Sequence, residues 1–250
     1  MIKLVKFGLC GLVLATLACL AGPQTAEAGP TWTFGPQEQG LLKLDYKGQF
    51  QLRYRDEGAG PAADEDAMEF NFRRNRLALM GAWGQHMSLY VQTEFNEDNN
   101  IRSFTVSDGD ESDFEILDAV VRFKANEQFN LWLGKFKYNL TRENLESCED
   151  PLTLDRSVLI RAPFVTTRDK GVAVWGNLFD GVFQYRADVM NGRNDSLSAP
   201  ESNFRYSVRG HVSLLDPEDG YGYKGTYLGK KKVLTVGAAY QMEKDIAFDD

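Results

Sequence analysis

Arginine is the residue type with the most chemistry to offer in this chain. Arg74 and Arg76 sit within Phe72-Arg73-Arg74-Asn75-Arg76-Leu77, and Arg53, Arg122, Arg186, Arg205 and Arg209 fall on the polar side of alternating runs. Arg142, Arg156, Arg161 and Arg168 are spread through the stretch 139–169. A guanidinium stays charged at any physiological pH and grips two oxygens of a phosphate or carboxylate as a fork. Rows of such groups suit a stepwise track for oxyanions, provided each step holds its anion weakly. The competing use is structural, with the same cations pairing with Asp118, Glu143, Asp155 or Asp188 to anchor chain segments.

Other chemistries have little material. Cys10 and Cys19 fall in a leader-like segment, which leaves Cys148 as the single remaining thiol and no partner for a disulfide. With only His86 and His211, most metal and catalytic constellations are out of reach, and neither a phosphate-cradling glycine loop nor a nucleophile elbow is present. Asp108, Asp110, Glu111 and Asp113 lack the spacing of a calcium loop and read as a solvated acidic segment. The reading is therefore of no enzyme, no cofactor and no metal site. Removing residues 1–28 takes Lys3, Lys6 and Glu27 away and leaves 26 basic and 35 acidic residues, a net charge of −9, which argues against nucleic acid as a partner.

The elements that must position the arginines are strands. Leu44, Tyr46, Phe50, Leu52 and Tyr54 alternate with charged or amide residues from Lys43 to Arg55, a period of two over about 13 residues. That length suits a tilted membrane crossing better than a globular strand of about five or six. The pattern predicts nine strands, at 41–55, 69–80, 87–96, 114–124, 129–138, 170–178, 182–190, 203–213 and 233–241. The second is ambiguous: if Leu77 and Leu79 face outward, Arg74 and Arg76 face inward, but so do Phe70 and Phe72. A bulge or a plugged interior would each account for it.

Lys3 and Lys6, the apolar run from Phe7 to Leu20 and Ala26-Glu27-Ala28 read as a cleaved export signal at 1–28. The apolar run is shorter than the roughly 20 residues of a spanning helix. Connections alternate between short ones near 81–86, 125–128 and 179–181 and long ones at 56–68, 97–113, 139–169 and 191–202, the asymmetry of an outer-membrane barrel in a Gram-negative cell. The connection 214–232, with Lys230-Lys231-Lys232, breaks that rule because it belongs to the short-turn end. Nine strands is an odd count for a closed bacterial barrel, so residues 29–250 are expected to be the N-terminal part of a longer one.

Several ordered motifs then resemble one family, the phosphate-selective porin O/P family. They are Phe72 to Leu77 with Gly81, Asp118 to Phe123, Phe129 to Phe136, Thr141 to Leu145, Asp155-Arg156-Ser157, Arg168 to Val172 and Asn191 to Asn194, within roughly 40–241. The resemblance implies an all-β, transmembrane antiparallel barrel of about sixteen strands, usually a homotrimer, with a long loop folded inward as a constriction. Here that loop is 139–169. The expected function is an outer-membrane porin for passive diffusion of small solutes, mainly anions such as phosphate. Pore-lining positions are Arg74, Arg76, Arg122, Arg142, Arg156, Arg161, Arg168, Arg186, Arg205 and Arg209. Expected partners are outer-membrane lipid, small anions and further copies of the chain. The alternative is a barrel sheathing a periplasmic or electron-transfer partner.

Overall fold

The two-residue period becomes a sheet of ten antiparallel strands in a computed structural model, which describes residues 29–59, 65–95, 114–147, 167–192 and 204–243. The strands are β1 (Thr31–Phe34), β2 (Gly40–Ala59), β3 (Glu65–Trp83), β4 (Met87–Phe95), β5 (Phe114–Asn126), β6 (Phe129–Lys137), β7 (Arg168–Leu178), β8 (Phe183–Met190), β9 (Arg205–Ser213) and β10 (Thr235–Met242). Each pairs with its neighbours in sequence, and β1 and β10 are the edges of the sheet. All nine expected strands are present. The tenth, β1, is four residues long and too short for a period to show in the sequence. Arg156, Arg161, Cys148, the acidic cluster 108–113 and the leader 1–28 lie outside the described residues.

Strand length follows from the membrane. The 20 residues of β2 and 19 of β3 exceed the crossing length. At about 3.3 Å per residue, β2 is about 65 Å long, so even a strongly tilted strand projects beyond a hydrocarbon layer of about 30 Å.

A β-bulge resolves the second-strand ambiguity. Gln49 pairs with Arg74 but Phe50 pairs with Phe72, so Arg73 is an extra residue with no opposite number on β2. Side chains directly opposite in an antiparallel pair point to the same face, and one inserted residue reverses the parity beyond it. Met68, Phe70 and Phe72 thereby join Tyr54, Leu52 and Phe50 on the outward face, while Leu77 and Leu79 stay outward opposite Tyr46 and Leu44. The Phe50 ring stacks on Phe70 at 5.5 Å and meets Phe72 edge-on at 5.2 Å. A second bulge, at Leu117 between the Gln92–Asp118 and Thr93–Ile116 pairs, keeps Phe114 and Ile116 outward and Asp118, Val120 and Arg122 inward.

The two faces differ sharply. Outward positions carry exposed Tyr46, Phe50, Leu52, Phe70, Leu89, Val121, Leu133, Val172, Val208 and Tyr240. Burial is concentrated on the other face, where Trp132, Phe136, Ala173, Met190, Tyr221 and Tyr223 pack together among buried Gln184, Arg186, Arg205 and His211. Gly134 sits there between Trp132 and Phe136 at φ 131°, and a Cβ on it would lie 2.1 Å from the Ala119 carbonyl oxygen. Glycine is the residue that takes this conformation without that clash.

Candidate functional site

The inward face is the candidate site, and it has two unlike halves. Over β2 and β3 it is largely uncovered. Lys43, Asp45, Lys47, Gln49 and Arg53 of β2 face inward beside Met80, Ala78, Arg76, Arg74 and Glu69 of β3. Arg53 Nη1 donates to Glu69 Oε1 at 3.1 Å, and Arg76 holds Glu94 of β4 with Nε to Oε1 at 2.9 Å and Nη2 to Oε2 at 3.2 Å. Arg74 donates to the Gln49 side-chain carbonyl, a neutral acceptor, and no carboxylate pairs with it among the described residues.

Over β6 to β9 the face is covered by the chain itself. From one end comes the start of the 139–169 loop, where the one-turn helix α1 (Arg142–Leu145) is capped by Thr141, whose Oγ1 accepts from Asn144 N at 3.1 Å. From the short-turn end comes the connection 214–234, which folds back along the wall as a strap. The two meet in a parallel bridge between Glu146 and Tyr223, with Tyr223 N donating to Leu145 O and Ser147 N donating to Tyr223 O, both at 3.2 Å.

Aromatic side chains dock the strap. The Tyr221 ring stacks on Trp132 at 3.9 Å, and its hydroxyl donates to Lys137 O at 2.9 Å. Wall side chains satisfy the strap backbone: Asn177 Nδ2 donates to Asp219 O at 2.9 Å and Arg186 Nη2 to Gly220 O at 3.0 Å. The purpose of the long 214–232 connection, unexplained by the sequence, is therefore to fill part of the interior.

Glu218 ties the strap to α1. Arg142 Nη1 and Nη2 donate to Glu218 Oε2 and Oε1 at 2.6 and 2.7 Å, and Tyr227 Oη donates to Oε1 at 2.6 Å. Burial works against the Glu218 charge, but the bonds from Arg142 and Tyr227 outweigh it and hold its pKa down at about 2. The same clamp raises the Arg142 pKa further, and burial together with the Glu218 bond pushes the Tyr227 phenol up to about 12.

The remaining expected arginines divide by what touches them. Arg168 pairs with Asp118 at 3.0 Å, the structural use anticipated for that carboxylate. Arg205 pairs with Asp169 at 3.4 Å and Glu243 at 3.3 Å. Arg122 lies over the rings of Tyr90 and Trp132, 4.9 and 4.3 Å from their centroids. Arg186, 2% exposed, lies over Tyr221 and Tyr223 at 4.8 and 4.7 Å, and Arg209, its cross-strand partner, reaches the Tyr223 hydroxyl at 3.5 Å. Neither of the last two pairs with a carboxylate among the described residues. A desolvated guanidinium over an aromatic face gains about 2 kcal/mol, which offsets part of its burial. Glu218, Tyr221 and Tyr223 escaped sequence reasoning; the available signal was Tyr221-Gly222-Tyr223 within an overlong turn.

An antiparallel sheet with an outer face that is apolar at most strand positions, Lys135 and Lys170 at one end excepted, and with inward-facing Arg, Lys, Gln and Asp is the wall of a transmembrane barrel, because charge is costly against lipid hydrocarbon. The chain belongs to the phosphate-selective porin O and P family, whose profile matches residues 44–248, and it is accordingly an outer-membrane porin. No curated protein matches it.

Proposed function

We propose that this porin passes small oxyanions, phosphate among them, by passive diffusion along the uncovered part of its inner wall. The observation that carries this reading is Arg74, inward-facing and, among the described residues, bonded to a neutral amide beside Lys43, Lys47, Arg53 and Arg76. Asp45, Glu69 and Glu94 are the carboxylates of the same patch, so among the described inward side chains of β2 to β4 five cations face three acids. Where the lumen is narrow and partly desolvated, such an excess is felt by a passing ion before salt screens it. Weak holding follows from the partial exposure of Lys43, Lys47, Arg53 and Arg74, while Arg76 is buried against Glu94, and release is as necessary as capture.

The strap supports a channel over a partner-sheathing barrel, since the chain's own aromatics occupy the wall a partner would need. Lipid against the outward face and a homotrimeric assembly complete the reading. The test is the reversal potential of the full-length protein in a planar bilayer under a KCl gradient, with phosphate then added. A chloride-leaning potential and phosphate block are expected. A cation-leaning potential would overturn the anion reading, and an occupied lumen without conductance would overturn the channel.

A further inference from the structure

Glu218 stands out because it is a carboxylate delivered into an arginine cluster from the far end of the wall. Arg142, Arg186 and Arg209 converge on one ring, that of Tyr223, with guanidinium carbons 4.6, 4.7 and 5.7 Å from its centroid. His211 Nδ1 and the Tyr223 hydroxyl are 2.8 Å apart on the same ring's edge. Three guanidinia thus share one neighbourhood, and among the described residues the acids paired with them are Glu218 and, at 3.2 Å from Arg142 Nε, Glu146. The Glu218 side chain is 1% exposed while that of Arg142 is 35% exposed. An ion in the lumen therefore meets Arg142 with its counter-charge hidden directly behind it.

We propose that Glu218 is a specificity-determining residue of the pore: from the buried side it offsets the charge of Arg142 and so holds anion preference below what the arginines alone would give. The proposal rests on the channel reading above. It assigns the strap an electrostatic role in addition to its packing role. Coulomb attraction behind a partly desolvated cation acts through protein rather than through water, so salt screens it weakly. Because the acid arrives on the strap and the cation on α1, the same contact also joins the two segments mechanically, and the two roles must be separated.

Opposite-sign neutralisations in the full-length protein separate them. Glu218→Gln keeps the shape and should raise the anion-to-cation permeability ratio, read from reversal potentials, by roughly two- to fivefold. Arg142→Gln should lower it by a similar factor, and the double variant should return close to the wild-type ratio. Glu218→Asp retains the charge and should keep the ratio even where the shorter side chain loosens the clamp. If Glu218 only anchors the strap, both single variants shift the ratio in the same direction, and the proposal fails. Should Glu218→Gln not assemble, Arg142→Gln alone decides, since an unchanged or increased anion preference contradicts the assignment. A conducting wild type with variants that move together sinks this inference alone, whereas a folded but silent wild type sinks the channel reading and this inference with it.

Discussion

The wall over β2 and β3 and the wall over β6 to β9 are built from the same residue types at the same inward strand positions, yet they do different work. On the first, Arg74 stands partly exposed beside Lys43, Lys47 and Arg53, and only Arg76 among these cations is buried, against Glu94. On the second, Arg186 and Arg209 lie against the strap ring of Tyr223, and Arg205 is held by the Tyr138 ring and by Asp169 and Glu243. The lesson is that an inward arginine in a barrel acquires its role from what covers it. Exposure leaves it as a site for ions, and burial makes it part of a scaffold.

Inserting one alanine between Arg76 and Leu77 should break the comparison altogether. Arg73 is already the extra residue that reconciles the two ends of β3, so a second one reverses parity again and turns Leu77 and Leu79 into the lumen or the Arg74 and Arg76 side to lipid. No folded barrel is expected, which the absence of a compact, heat-modifiable band after detergent refolding would report. A folded product with normal conductance would show that the register is set elsewhere.

Tyr221→Ala should convert the covered wall toward the open one. Truncating a buried aromatic costs about 3–5 kcal/mol, and here it removes the stack on Trp132 that docks the strap. Single-channel conductance should rise, with trypsin cutting faster at the already exposed Lys230 and Lys232 as the strap loosens. Unchanged conductance would mean that the strap lies clear of the ion path.

Paired substitutions sharpen the contrast. Arg168→Gln leaves Asp118 poorly exposed and without its ion pair, so about 3–5 kcal/mol of stability should go while ion preference stays. Arg74→Gln should do the reverse, with stability within about 0.5 kcal/mol and anion preference reduced roughly twofold. Denaturant midpoints and reversal potentials on both variants check this, and an exchange of the two outcomes would reverse the assignment of the walls.

The smallest effect is expected from pH. Glu218 has a folded pKa depressed to about 2, so its stabilising contribution is complete above the ordinary carboxylate range and is lost as pH falls toward that value. The groups bonded to it, Arg142 and Tyr227, keep their protons throughout that range. Tryptophan emission, reporting Trp132 under Tyr221, should show no strap release between about pH 8 and pH 5. A transition near pH 6 would place the clamp under another group's control.

Much of the wall was legible because a strand has a period of two and a membrane demands one apolar face. Leu44, Tyr46, Phe50, Leu52 and Tyr54 announced β2 without help, and the inward direction of Arg74, Arg122, Arg186 and Arg209 followed from parity. The clash between Phe70 and Arg74 was also visible, but its answer needed the pairing partner, since a bulge is a relation between two strands rather than a property of one. The strap was legible only as an irregularity in length. That Glu218 meets Arg142, 76 residues away, and that Tyr221 covers Trp132, depends on which surfaces come together when the sheet forms. Local periodicity thus determined the strands and the sign of each face. Long-range packing alone decided which arginines stay open to ions and which are buried, because side-chain burial is set by partners distant in the chain.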